Sequence, residues 1–190
     1  MKRSEINFAV KEASDFFKEY HWVLPPAPRW DVTDFGLGDF EQFGLVLVNL
    51  AEEEEYCEKL MYANKGQTTP SHAHKKKKED IICRIGELKI IVWNNDKELL
   101  NKQEKFTMKV NGEEIVLFSG SEVILKAGER LTIVPEIYHQ FYPISEACII
   151  GEVSTANDDA NDNFFINNDI GRFSEIEEDE PSIVKLVNEI

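Results

Sequence analysis

Cysteine is scarce in this chain of 190 residues: Cys57, Cys83 and Cys148 are odd in number, far apart in sequence, and form no C-x-x-C pair. That argues against a disulfide framework and for reduced core residues of a cytoplasmic protein. Long apolar runs are missing as well, none approaching the ~18 to 20 residues that cross a bilayer. The opening Met1-Lys-Arg-Ser-Glu-Ile-Asn is charged and amphipathic, unlike the apolar centre of a secretory signal, so no membrane partner is expected. Positive charge is in deficit: 21 basic side chains against 36 acidic give a net charge of -15, which repels nucleic acid and anionic surfaces. Histidine is rare too, with four in all, and three of them fall inside two short motifs.

What is present suffices for one good-sized core, with 42% apolar residues. Residues 4–20 place Ile6, Ala9, Val10, Ala13, Phe16, Phe17 and Tyr20 at helical spacing, with Ser4 as the N-cap. This amphipathic helix needs a partner surface, either in its own chain or on a second subunit; a homodimer is expected as the commonest assembly. His21, with no ligand-type neighbour, reads as structural, and Leu24-Pro25-Pro26-Ala27-Pro28 is extended.

From Gly44 the chain becomes a series of short β-branched and aromatic runs at 44–50, 57–63, 81–85, 88–93, 106–110, 115–118, 122–126, 131–134, 139–142 and 147–153. Asn111-Gly112 between two of them is a hairpin turn. An all-β antiparallel barrel or jelly roll is expected, which also hides the sheet edges. The organisation expected is an N-terminal arm over residues 1–43, a barrel over 44–153 and an extension over 154–190 packed on it. The Asn- and Asp-rich stretch 157–163 lacks the spacing, glycine and closing glutamate of an EF-hand calcium loop. An acidic run follows at 175–180, and 182–190 reads as a short helix.

The first histidine motif, over residues 66–86, reads G-x5-H-x-H-x4-E-x6-G and contains His72, His74 and Glu79; the second ends Pro135-Glu-Ile-Tyr-His139. Side chains two apart on a strand share a face, so His72 and His74 can enter one pocket. Lysines 75–78 read as a solvated connection rather than a phosphate-binding patch, after which Glu79 opens an apolar run that can carry its carboxylate back to the imidazoles. With His139 the set becomes three imidazoles and a carboxylate, which suits a divalent transition metal. If six-coordinate, such an ion keeps two open positions. Those fit the carbonyl and α-hydroxyl of an open-chain sugar, and they fit dioxygen chemistry at Fe(II) equally well.

The two motifs resemble those of the cupin superfamily, whose metal ligands line a small antiparallel barrel. The second departs from the usual P-x-G-x-x-H, being one residue shorter and without the glycine. The flanks narrow the likeness. Thr68-Thr-Pro-Ser-His-Ala-His, Gly151-Glu-Val-Ser-Thr-Ala-Asn-Asp-Asp-Ala-Asn-Asp-Asn and Ile170-Gly-Arg-Phe-Ser-Glu-Ile-Glu-Glu-Asp-Glu-Pro resemble the D-lyxose isomerase family of cupins across nearly the whole chain. The resemblance implies a manganese-dependent aldose-ketose isomerase that interconverts D-lyxose and D-xylulose, with D-mannose and D-fructose as related substrates. An Fe(II) dioxygenase and a sugar-binding cupin without turnover are the alternatives.

Isomerisation needs a base that moves a proton between C2 and C1. Glu152, at the end of the last expected strand, is the candidate, with Ile149, Ile150 and Val153 as apolar surroundings that raise its pKa. Lys59 shares strand parity with Cys57, Met61 and Ala63, so it points inward and can stabilise a substrate oxygen. Asp162 and Arg172 lie in the family-like C-terminal segments as candidate hydroxyl contacts; on sequence alone each also reads as an ion-pair or turn residue.

Overall fold

A computed structural model describes residues 1–94, 105–156, 158, 161–167, 170–171 and 175–189. Helix α1 spans Arg3–Glu19 and a one-turn helix, α2, spans Phe40–Phe43. The strands are β1 Arg29–Thr33, β2 Leu45–Glu52, β3 Tyr56–Asn64, β4 His72–Ala73, β5 Glu79–Ile85, β6 Glu87–Trp93, β7 Lys105–Val110, β8 Glu113–Phe118, β9 Ser121–Lys126, β10 Arg130–Ile133, β11 Tyr138–Pro143, β12 Ala147–Thr155 and β13 Phe164–Phe165. Each expected run appears, and β1, β4 and β13 join them. Asn111 and Gly112 take φ 55° and 87°, the left-handed pair that a tight hairpin between β7 and β8 requires.

Two antiparallel sheets form, the larger in the order β1-β2-β3-β12-β5-β10-β7-β8 and the smaller β13-β4-β11-β6-β9. They face each other as a cupin-type jelly roll. The larger sheet contributes Leu47, Met61, Ile81, Leu131 and Ile150 to the core between them, and the smaller contributes Leu88, Ile90, Val92, Leu125 and Phe141. Where α1 covers it, the larger sheet is buried on its outer face as well, which is why β2 reads Leu45-Val-Leu-Val48 with no polar alternation. Leu45 and Leu47 enter the barrel, while Val46 and Val48 join Trp30, Leu60, Tyr62 and Ile149 beneath Ile6, Ala9, Val10, Ala13 and Phe17 of α1. The amphipathic helix thus finds its partner surface in its own chain.

The ends of α1 show how the remaining segments find their places. The N-cap is Lys2, not Ser4, because Ser4 lies in the first turn with its backbone N–H and its hydroxyl both donated to the Asp179 carboxylate. Arg3 N–H reaches the Glu177 carbonyl, and the buried Arg3 guanidinium pairs with Glu178 and Glu189. The acidic run therefore docks where a helix presents unsatisfied N–H groups and the positive end of its dipole. At the other end His21, at φ 60°, occupies the left-handed position after the cap: His21 N–H donates to the Lys18 carbonyl and Trp22 N–H to that of Phe17. The expected C-terminal helix reduces to a 3-10 turn over Val187–Glu189, with Leu186 buried beside Trp30.

Candidate active site

Strand pairing converges the histidines. β4 and β11 are neighbours with His72 directly opposite His139, and β13 sets Phe165 on the other side of His72. His74 follows β4, and Glu79 opens β5 in the facing sheet. Ligand nitrogens of the three imidazoles lie within 4.8 Å of one another. The Glu79 carboxylate Oε1 is 3.0 Å from His139 Nε2 and 3.6 Å from His74 Nε2.

Protonation follows from the outer partners of each ring. His72 Nδ1 sits 2.9 Å from the Pro70 carbonyl, His74 Nδ1 2.8 Å from the Asp162 carbonyl, and His139 Nδ1 3.1 Å from the Ile137 carbonyl. A carbonyl only accepts, so each Nδ1 carries a hydrogen, and in a neutral ring Nε2 is then the lone pair offered to the centre. His74 Nε2, His139 Nε2 and Glu79 Oε1 are buried without a hydrogen-bond partner. Acceptors facing acceptors at 3 Å in a buried site call for a cation among them, and this donor set fits a divalent metal. Burial, followed by the neighbouring imidazoles, holds His72 well below the ordinary imidazole range and so keeps it in the ligating, neutral form.

The second motif reaches the site without its glycine. Pro135 and Glu136 form the turn between Val134 and Ile137, and Glu136 takes the left-handed conformation at φ 71° that a glycine would adopt freely. Its N–H donates to the His74 carbonyl at 2.6 Å, which ties the two motifs together. Gly86, closing the first motif, is obligatory on other grounds: at φ 90° an added Cβ would stand 2.5 Å from the Ala147 carbonyl oxygen.

Glu152 and Lys59 lie directly opposite each other on β12 and β3, and both point into the barrel. The surroundings of Glu152 differ from those expected. Strand alternation turns Ile149 and Val153 to the other face, and the carboxylate meets two ammonium groups instead, Lys77 Nζ at 3.0 Å and Lys59 Nζ at 3.8 Å. Lys77 is the residue that sequence reasoning missed. Rather than joining a solvated loop it is 5% exposed, with Nζ 2.9 Å from Glu79 Oε2, while Lys75, Lys76 and Lys78 are exposed. Burial alone would lower its pKa, but the charges of Glu152 and Glu79 outweigh burial and hold the ammonium well above the usual lysine range. In turn burial would raise Glu79, and the Lys77 ammonium outweighs that, holding the carboxylate well below its usual range.

The wall of the cavity carries the polar groups of the histidines, Glu79, Lys77, Lys59, Glu152 and Asn163 together with apolar Phe35, Leu45, Leu47 and Phe165. Asp162 stands behind this wall rather than on it. Its carboxylate accepts the backbone N–H groups of Lys75, Lys76 and Lys77 at 2.9 to 3.2 Å, so both oxygens are already engaged away from any sugar. Arg172 lies outside the described residues.

A family model for D-lyxose isomerase matches residues 27–190 of the chain. The chain belongs to the D-lyxose isomerase family. Two D-lyxose/D-mannose isomerases illustrate the relation. That of Escherichia coli O157:H7 is 33% identical over 225 residues, covering 100% of this chain and 98% of the relative; that of Serratia proteamaculans is 34% identical, covering 95% and 94%. As a member of the D-lyxose isomerase family the chain is an aldose-ketose isomerase. The L-ribose isomerase of Cellulomonas parahominis, 18% identical with a TM-score of 0.70 over 93% of this chain and 98% of its own, shares the fold.

Proposed function

We propose that this protein is a divalent-metal isomerase that interconverts D-lyxose and D-xylulose, with D-mannose and D-fructose as related substrates. The observation that carries the metal requirement is the cluster of buried, partnerless acceptors formed by His74, His139 and Glu79, with His72 beside them. These four residues are the proposed ligands, and manganese is the proposed ion, in keeping with a mixed imidazole and carboxylate set. A divalent cation held by them would supply Lewis-acid chemistry at a sugar carbonyl.

The chain's own groups do the rest. Glu152 removes the proton from C2 and returns it at C1. Lys77 bridges Glu152 to Glu79 at 3.0 and 2.9 Å, so the proton-carrying carboxylate is held in fixed relation to the ligand set. Lys59 provides a cationic contact for a substrate oxygen, Asn163 a neutral one, and Arg172 is the further hydroxyl contact proposed from the family resemblance. The apolar side chains of Phe35, Leu45, Leu47 and Phe165 in the lining exclude water from the reacting atoms. We place the enzyme in the cytoplasm as a homodimer, docked through a surface other than the apolar face of α1, which its own sheet covers.

The test is direct: manganese-loaded protein incubated with D-lyxose should release D-xylulose, and His72→Ala should not. Absence of ketose above the His72→Ala background, with metal bound, would refute the assignment. Light scattering on the same preparation reads the mass, and a monomer would remove the dimer from the proposal.

A further inference from the structure

Asp162 is a buried carboxylate that the proposed reaction does not use, and its contacts have an order that a surface turn does not need. Three successive backbone N–H groups point at it: Lys75 to Oδ1 at 2.9 Å, Lys76 to Oδ1 at 3.1 Å and Oδ2 at 3.2 Å, and Lys77 to Oδ2 at 2.9 Å. Its own backbone carbonyl takes the Nδ1 hydrogen of His74. One residue from the C-terminal segment thus grips the short connection between His74 and Glu79 at both of its functional points. The alternation along that connection explains why the grip matters. Lys77 and Glu79 are two apart and share the inward face, so the inward path of the Lys77 side chain depends on where its backbone amide is fixed.

We propose that Asp162 is a positioning residue for the isomerisation, fixing the backbone of Lys75, Lys76 and Lys77 so that the Lys77 ammonium stands between Glu79 and Glu152. The proposal rests on the isomerase reading of the site. The two handles of Asp162 separate cleanly, because the carbonyl that orients His74 survives any side-chain substitution, whereas the carboxylate that fixes Lys77 does not. Asp162→Asn keeps shape and volume but replaces one acceptor oxygen with an N–H2 donor, which must face a backbone N–H. The effect therefore falls on Lys77 and much less on metal binding.

The experiment is a double-mutant cycle of Asp162→Asn and Lys77→Gln, read by turnover of D-lyxose, by the manganese dissociation constant and by amide exchange. Asp162→Asn should lower kcat by about 10- to 100-fold, the range for residues that orient a site from behind, and change manganese affinity by less than about tenfold. In the Lys77→Gln background it should cost almost nothing further, because the group it positions is already gone. A merely structural residue would instead give losses that multiply, with a lowered melting temperature in both backgrounds. Multiplying losses, or an unchanged kcat in Asp162→Asn, would overturn the proposal. The backbone amides of residues 75, 76 and 77 should be protected in the parent and in Lys77→Gln, and those facing the introduced N–H2 should exchange faster in Asp162→Asn. Protection that survives Asp162→Asn overturns the proposal even if the parent fails to isomerise D-lyxose, a failure that would count against the isomerase reading alone.

Discussion

Replacing Lys77 with methionine separates a buried charge from a solvated loop residue. The side chain keeps its stem out to Cε and loses its ammonium, leaving Glu79 and Glu152 without the cation that stands 2.9 and 3.0 Å from them. At an effective dielectric constant near 20 each such contact is worth about 5 kcal/mol of attraction, reduced by the cost of burying the ammonium. Removing one partner of a buried ion pair typically destabilises by about 3–5 kcal/mol, and that is the loss expected for Lys77→Met in the metal-free protein near pH 7. The sign of its pH dependence follows from Glu79, whose pKa in the native protein is held low. Stabilisation from such a carboxylate is present above its unfolded pKa and is lost as pH falls through the native one, so the gap between parent and variant should narrow on acidification. Urea unfolding in the presence of chelator reads both quantities. Lys76→Met and Lys78→Met, at exposed positions, should stay within about 0.5 kcal/mol of the parent. A Lys77→Met loss as small as theirs would refute the buried network.

Other consequences can be checked with the same unfolding assay. Glu136→Gly, at φ 71°, should stabilise by about 1 kcal/mol by relieving the left-handed backbone, and a destabilised variant would contradict that origin. The metal-free protein should lose stability as pH falls below about 6.5, by at most ~1.4 kcal/mol per pH unit for His72, because the unfolded chain takes up a proton that the native ring refuses. A flat profile from about pH 7 to pH 5 would contradict a native His72 that stays neutral. Arg3→Met should cost about 2–4 kcal/mol and expose the tail around Glu178 to limited proteolysis, since the guanidinium is buried against Glu178 and Glu189. An unchanged cleavage pattern would show that the tail is held by other contacts.

Much of this architecture is written locally. Period-two alternation put His72 and His74 on one face, placed Lys59 with the core residues of β3, and located the strands of the barrel closely, because each of these is a property of a few adjacent residues. Lys77 was hidden by composition: four lysines in a row look solvated, although its separation of two from Glu79 carried the inward parity that reveals it. The surroundings of Glu152 followed the same alternation, which sends Ile149 and Val153 outward and brings Lys77 from a distant loop. Contacts such as Asp162 with the amides of residues 75–77, or Glu178 with Arg3, join segments far apart in the chain. No local pattern encodes that meeting, so only the folded chain discloses it. β1 was obscured by the prolines before it, and its place was decided by pairing with β2 rather than by its own five residues.

In the proposed reaction Glu152 moves a proton between C2 and C1, beside a metal held by His72, His74, Glu79 and His139. The most direct test runs the isomerisation of D-lyxose in deuterium oxide with manganese-loaded protein and examines the ketose by NMR. The parent protein should place deuterium at C1 of D-xylulose, and Glu152→Gln should lose that incorporation with manganese still bound. Ketose formed without deuterium at C1, or incorporation unaltered in Glu152→Gln, would contradict that role of Glu152.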